Sequence, residues 1–87
     1  MYYFVYLLVS NNKNKIISYV GSTNNLINRI KLHNNGKGAK FTKGRYWKLI
    51  YYEILLNRSD ALKKEYYLKK NRKLRNFIKK NYIEILY

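Results

Sequence analysis

The sequence predicts an α+β domain. Three short runs are aromatic and β-branched: YYFVYLLVS over 2–10, IISYVG over 16–21 and WKLIYYEIL over 47–55. The first two lie close enough to form a hairpin, and helical patterns with capping residues follow the second and third. With 87 residues there is room for one domain, 1–87, and no more. A chain this short buries only about 60–65% of its unfolded surface. It has no cysteine, so packing of its 47% hydrophobic residues must hold it together.

The elements follow in order. Asn11–Lys15 (NNKNK) is polar and turn-like, linking strands one and two. A turn centred on Asn12 and Lys13 pairs residues whose numbers sum to 25, which sets Tyr6 opposite Tyr19 on one face of the sheet. Ser22–Asn25 offers N-caps for a helix reaching about Asn34, with Gly36 as its stop and Leu26, Ile27 and Ile30 as its packing face. Gly36–Arg45 (GKGAKFTKGR) is glycine-punctuated and basic, and reads as an irregular surface loop. Asn57, Ser59 or Asp60 can cap a second helix from about Ala61 to Asn71. A further stretch, Lys73–Lys80, carries Leu74, Phe77 and Ile78 on one face. The two apolar stripes do not align, so a break is expected near Asn71. Tyr82–Tyr87 is apolar and reads either as an edge strand or as an extension of the last helix.

Charge narrows the function. Nineteen Lys and Arg oppose four Asp and Glu, a formal net charge of +15. Self-repulsion of that size favours a polyanionic partner, nucleic acid first and an anionic membrane surface second. AT-rich codons account for part of the Lys, Asn, Ile and Tyr content but not for the scarcity of acids. No run of about 18 apolar residues is present to span a membrane. The amino terminus lacks the order of a secretory signal, so the expected location is cytoplasmic.

Few residues can carry chemistry. Glu65 falls on the inward-tending side of a Lys-rich helix, bracketed by Ala61, Leu62 and Leu68. A carboxylate there needs a partner. It is either an ion pair with Lys69 or Arg72, or a ligand for a hard divalent cation beside a phosphate. Arg29 and His33 share a helix face at i, i+4 and could hold a phosphate; alternatively they are ordinary surface residues. Of eleven tyrosines, Tyr51, Tyr52, Tyr66 and Tyr67 read as core edge or surface, some available to stack on bases. Tyr6 and Tyr19 differ because the hairpin can bring their hydroxyls together. A phenol, with a pKa near 10, is a poor base unless neighbouring cations lower it.

These residues form an ordered set: Phe4-Val5-Tyr6, Tyr19-Val20-Gly21, then Ser22-Thr23-Asn24-Asn25-Leu26, Arg29, His33, Gly38-Ala39-Lys40-Phe41-Thr42 and Glu65. The set resembles the GIY-YIG nuclease superfamily over about residues 2–80, most closely the small stand-alone bacterial (YhbQ-like) group. It is also similar to the nuclease domain of endonucleases that act on branched DNA, a DNA-repair setting. The resemblance implies a three-stranded antiparallel sheet flanked by helices. It implies a metal-dependent endonuclease, with Tyr6 or Tyr19 as base, Arg29 on the scissile phosphate and His33 as its polar partner; low sequence specificity is expected separately, from basic contacts that track the backbone without reading bases. Glu65 is then the sole carboxylate ligand for Mg²⁺ or Mn²⁺, with water and phosphate oxygens beside it. Phe4 stands where the first motif has glycine, a departure common in the stand-alone group. An active-site asparagine of some relatives has no clear counterpart, since Asn76 is eleven residues and Phe77 twelve beyond Glu65.

The basic residues Lys37, Lys40, Lys43, Arg45, Lys69 and Arg72 are expected to track a nucleic-acid backbone, joined by Lys63, Lys64 and Lys70. DNA is favoured over RNA, and the expected state is a monomer or weak dimer. The competing expectation is a basic nucleic-acid-binding module without catalysis.

Overall fold

The computed structural model describes residues 2–81, so the expectation for Tyr82–Tyr87 lies outside the described residues. The order is β1 (Tyr3–Asn12), β2 (Lys15–Thr23), α1 (Leu26–Asn34), β3 (Lys48–Leu55), α2 (Arg58–Lys70) and α3 (Arg72–Lys80). The strands form one antiparallel sheet in the order β2-β1-β3. Helices lie on both faces, as the sequence led us to expect. The central strand β1 is therefore buried on both sides, and its side chains alternate between two cores. Val5, Leu7 and Val9 pack with Val20, Ile50, Ala61 and Leu68 beneath α2. Tyr6 and Leu8 pack with Ile30, Trp47 and Leu49 beneath α1. This two-sided burial explains why β1 reads as a near-continuous apolar run.

The hairpin register differs from the expected one. Strand pairing continues to Asn12 and Lys15, so the turn falls on Lys13 and Asn14 and Tyr6 pairs with Gly21 rather than Tyr19. Lys13 has φ 59, and a two-residue turn between twisted strands favours such a left-handed residue. The shift is by two residues, so both tyrosines stay on one face as diagonal neighbours, with Leu8 opposite Tyr19. In the other ladder a bulge between Leu7 and Leu8 leaves Ile50 unpaired and turns it into the α2-side core.

The helix ends follow local chemistry. Asn25 caps α1 by accepting from the Asn28 amide at 3.2 Å. Asn57 caps α2 through the Asp60 amide at 2.8 Å, so this helix starts three residues earlier than predicted. Asn71, with φ −98 and ψ 81, both ends α2 and caps α3. Arg75 bridges this break by donating to the terminal carbonyls of Leu68 (2.9 Å) and Lys69.

The segment between α1 and β3 is more than a surface loop, which corrects the sequence reading. Thr42 within it is fully buried. The Trp47 indole donates to the Thr42 carbonyl at 2.9 Å. Asn34 closes the loop base by accepting from the Trp47 amide (2.6 Å) and donating to the Trp47 carbonyl (3.2 Å). The lysines of the segment stay outside while its hydroxyl and its glycine turn inward.

Candidate active site

Tyr6 lies at the centre of the α1-side core, only 1% exposed. Its ring crosses β2 at Gly21, where an added Cβ would run into the phenol oxygen and come within 2.6 Å of Cζ. Glycine is required here for space. The phenol oxygen lies 2.8 Å from His33 Nε2. On the other side of the imidazole, Nδ1 is 2.8 Å from Thr42 Oγ1. The tautomer follows from counting donors. Thr42 Oγ1 gives its proton to the Ala39 carbonyl at 3.0 Å and accepts from the Ala39 amide at 3.2 Å. With the Thr42 proton placed on the Ala39 carbonyl in this way, His33 Nδ1 carries the proton it shares with Thr42. That leaves Nε2 as an acceptor, and the Tyr6 hydroxyl donates to it.

His33 is fully buried, so the surface alternative does not hold. Gly38 lets the loop pass against its ring: a Cβ there would collide with Nδ1 and lie 2.8 Å from both Cγ and Cε1. Burial, then the Arg29 charge, push the imidazole down from 6.5 to about 4. Burial also pushes the Tyr6 phenol up to about 12, opposed by a hydrogen bond from Arg29 and assisted by Tyr19 and Glu65. Arg29, Tyr19 and Glu65 thus all bear on the charge of this one phenol. Tyr19 lies diagonally across, ring centroids 6.5 Å from Tyr6 and 5.0 Å from His33. Phe41 stacks on its outer face at 6.3 Å.

Arg29 is steadied by donating to the Gly38 carbonyl at 3.3 Å. It lines an open cleft with Tyr3, Ser22, Thr23, Asn24, Arg58 and Leu62. Glu65, on α2, is tied to the wall of this cleft through Ser22. Ser22 donates to its Oε1 at 2.5 Å, and the Lys69 ammonium lies 2.6 Å from its Oε2. Of the two bland partners expected, Lys69 is the one present. Arg72 is exposed at the start of α3. Sequence reading missed Ser22 as the anchor of Glu65 and Thr42 as the anchor of His33. Both stand inside the quoted motifs, and their signal is a hydroxyl at a position the fold buries.

A divalent cation is compatible with this carboxylate. Each oxygen accepts one donor and keeps a further lone pair, and the Lys69 side chain is half exposed and free to swing away. Among the described residues no cluster of three His, Cys, Asp or Glu exists. Water and phosphate oxygens would supply the other ligands, the arrangement Mg²⁺ tolerates best. Of the proposed backbone-tracking residues, Lys37, Lys40 and Lys43 are exposed, and Arg45 lies over the Phe41 ring at 5.7 Å.

A fold of this topology, with paired tyrosines over a helix Arg and His and one carboxylate opposite, defines a class. The family model described as the GIY-YIG catalytic domain matches residues 2–81, and the chain belongs to this nuclease family. Within it, the chain is similar to the UPF0213 group of bacterial proteins. It is 57% identical over 53 residues to a UPF0213 protein of Clostridium perfringens, covering 60% of this chain and 57% of that protein. It is 46% identical over 70 residues to one of Pediococcus pentosaceus, covering 77% and 74%. The match thus spans less than two thirds of the Clostridium protein's length. The solution NMR structure of the UPF0213 protein from Bacillus halodurans superposes with a TM-score of 0.50 at 30% identity, covering 90% of this chain and 82% of that one. Among the described residues, no helix is long and apolar enough to cross a membrane.

Proposed function

We propose that the protein is a metal-dependent endonuclease that hydrolyses phosphodiester bonds of DNA with little sequence preference, acting in the cytoplasm as a monomer or weak dimer. The observation that supports this most is the Tyr6–His33–Thr42 chain of hydrogen bonds set against Arg29 and Glu65. A phenol held near 12 does not ionise alone at neutral pH. With an acceptor at 2.8 Å it can act as half of a pair. Tyr6 takes a proton from the attacking water while its own proton passes to His33 Nε2, an imidazole held near 4 that accepts it only once the negative charge of bound substrate has raised its basicity. The proton on Nδ1 stays there, hydrogen-bonded to Thr42, which fixes the ring for this transfer. A phosphate dianion developing nearby offsets the charge on the imidazolium. This arrangement favours Tyr6 over Tyr19 as the base, with Tyr19 packing the ring pair in place.

Arg29, lining the cleft, faces the phosphoryl oxygens and balances their growing charge, a role worth about 100- to 1000-fold in rate. Glu65 would hold the Mg²⁺ or Mn²⁺, which when bound supplies positive charge to the leaving oxygen. DNA is proposed over RNA because the same motifs resemble those of endonucleases acting on branched DNA. The test is incubation with labelled duplex, flap, junction and single-stranded DNA and with RNA, in Mg²⁺, Mn²⁺ or chelator. We expect cation-dependent cutting of DNA that Tyr6→Phe and Glu65→Gln each reduce about 100-fold or more while binding persists. Full cutting by Glu65→Gln, or in chelator, overturns the reading.

A second reading has its own observation. Both oxygens of Glu65 already have donors, one of them a cation, so the carboxylate is satisfied without a metal. A basic binding module would look the same there. It would bind DNA with no cation-dependent cutting on any substrate of the panel.

A further inference from the structure

The proposed chemistry uses one guanidinium, Arg29, yet the cleft it lines holds a second. Arg58, the first residue of α2, lines the same cleft, whose volume is about 360 Å³. Among the described residues Arg58 has no hydrogen-bond, ion-pair or ring partner. Asp60, in the same helical turn, is instead engaged by Asn57, which donates to its carboxylate at 3.1 Å. An arginine with no counter-charge, in a chain of net charge +15, is a charge held ready for an anion. Other walls of the cleft suit a nucleoside. Tyr3 offers an aromatic surface, Leu62 an apolar one, and Ser22, Thr23 and Asn24 are polar. The volume lies at the small end of ligand pockets, which start at about 300 Å³.

We propose that this cleft is a subsite for the nucleotide adjoining the scissile phosphate, with Arg58 binding that nucleotide's far phosphate while Arg29 binds the near one. The inference rests on the nuclease reading for its orientation: Ser22, which anchors Glu65, belongs to the cleft wall, so the subsite opens directly beside the proposed centre. Arg58 is a positioning residue. It contributes through charge-assisted hydrogen bonds to a phosphate, and about tenfold in affinity is the usual worth of one such contact. Through this subsite the enzyme would favour substrates with a phosphate on the neighbouring nucleotide, by about tenfold.

The probe is a nucleoside 3′,5′-bisphosphate, titrated into the full chain in chelator, with inorganic phosphate as a second probe. NMR follows the amides of Ser22, Thr23, Asn24 and Arg58. We expect the bisphosphate to shift these amides and to bind about tenfold more tightly than phosphate. Arg58→Ala should remove that advantage, and Arg58→Lys should restore part of it. In cutting assays the loss from Arg58→Ala should fall mainly on KM. Arg58 is exposed, so its replacement should leave the fold intact, checked by thermal unfolding. Equal affinity of wild type and Arg58→Ala for the bisphosphate, with KM unchanged, overturns the subsite and leaves the nuclease reading standing. Bisphosphate binding that depends on Arg58, in a protein that cuts nothing, upholds the subsite and rejects the nuclease reading.

Discussion

Lowering the pH from neutral to about 4 puts a proton on His33, and the structure sets what that costs. The ring is fully buried, and its two nitrogens are already matched, one donating to Thr42 and one accepting from Tyr6. A second ring proton turns Nε2 into a donor facing the Tyr6 hydroxyl. Burial and the Arg29 charge hold the folded value at about 4, against 6.5 unfolded. The sign follows: the unfolded chain takes up the proton first. Stability from keeping His33 neutral is complete above about 6.5, falls as pH drops toward about 4, and levels off below. At 1.36 kcal/mol per pH unit, that gap corresponds to a loss on the order of 3 kcal/mol. His33 is the only histidine, so its ring proton resonances can be followed unambiguously. Urea unfolding of wild type and His33→Gln between about pH 7 and pH 4 should show a steeper decline for wild type, by up to one proton's worth. Titration of the native resonance near 6.5, or equal pH slopes in both proteins, would refute the buried neutral relay.

Other expectations follow from single contacts. Gly21→Ala should destabilise the protein by about 1–3 kcal/mol, because its Cβ meets the Tyr6 phenol; unchanged thermal unfolding would contradict the packing. Gly38→Ala should act through His33, with which its Cβ collides. The expected signature is a shifted His33 ring resonance and reduced cutting. Lys69→Ala removes the cation 2.6 Å from Glu65 Oε2 and should tighten Mn²⁺ binding several-fold by calorimetry; weaker binding would show that Lys69 supports the site rather than competing for it. Replacing Lys40 and Lys43 together with Ala should lower the salt dependence of duplex binding by a log–log slope of about 2, with no change in sequence preference.

How far the sequence could be read divides along the range of the contacts involved. Strands, helix caps and the break at Asn71 were legible because each is decided within a few residues: a β-branched run, an Asn before an amide, two apolar stripes out of phase. The hairpin register was not, because NNKNK accepts a turn at either of two places and only the buried faces of β1 choose between them. Even so, a two-residue error preserves the facing of every side chain, which is why Tyr6 and Tyr19 still share a face. The site divides in the same way. Its five residues were named from motifs, but composition placed the Gly36–Arg45 segment outside because it is rich in lysine. Thr42 and Gly38 stand in a quoted motif but are small and uncharged, so the motif does not say that one orients the imidazole and the other makes room for it. The functional consequence is physical. A buried histidine held neutral, rather than a surface one, keeps an unprotonated ring facing a phenol near 12, and in the proposed mechanism the charge of a bound phosphate must raise its basicity before it can take the proton.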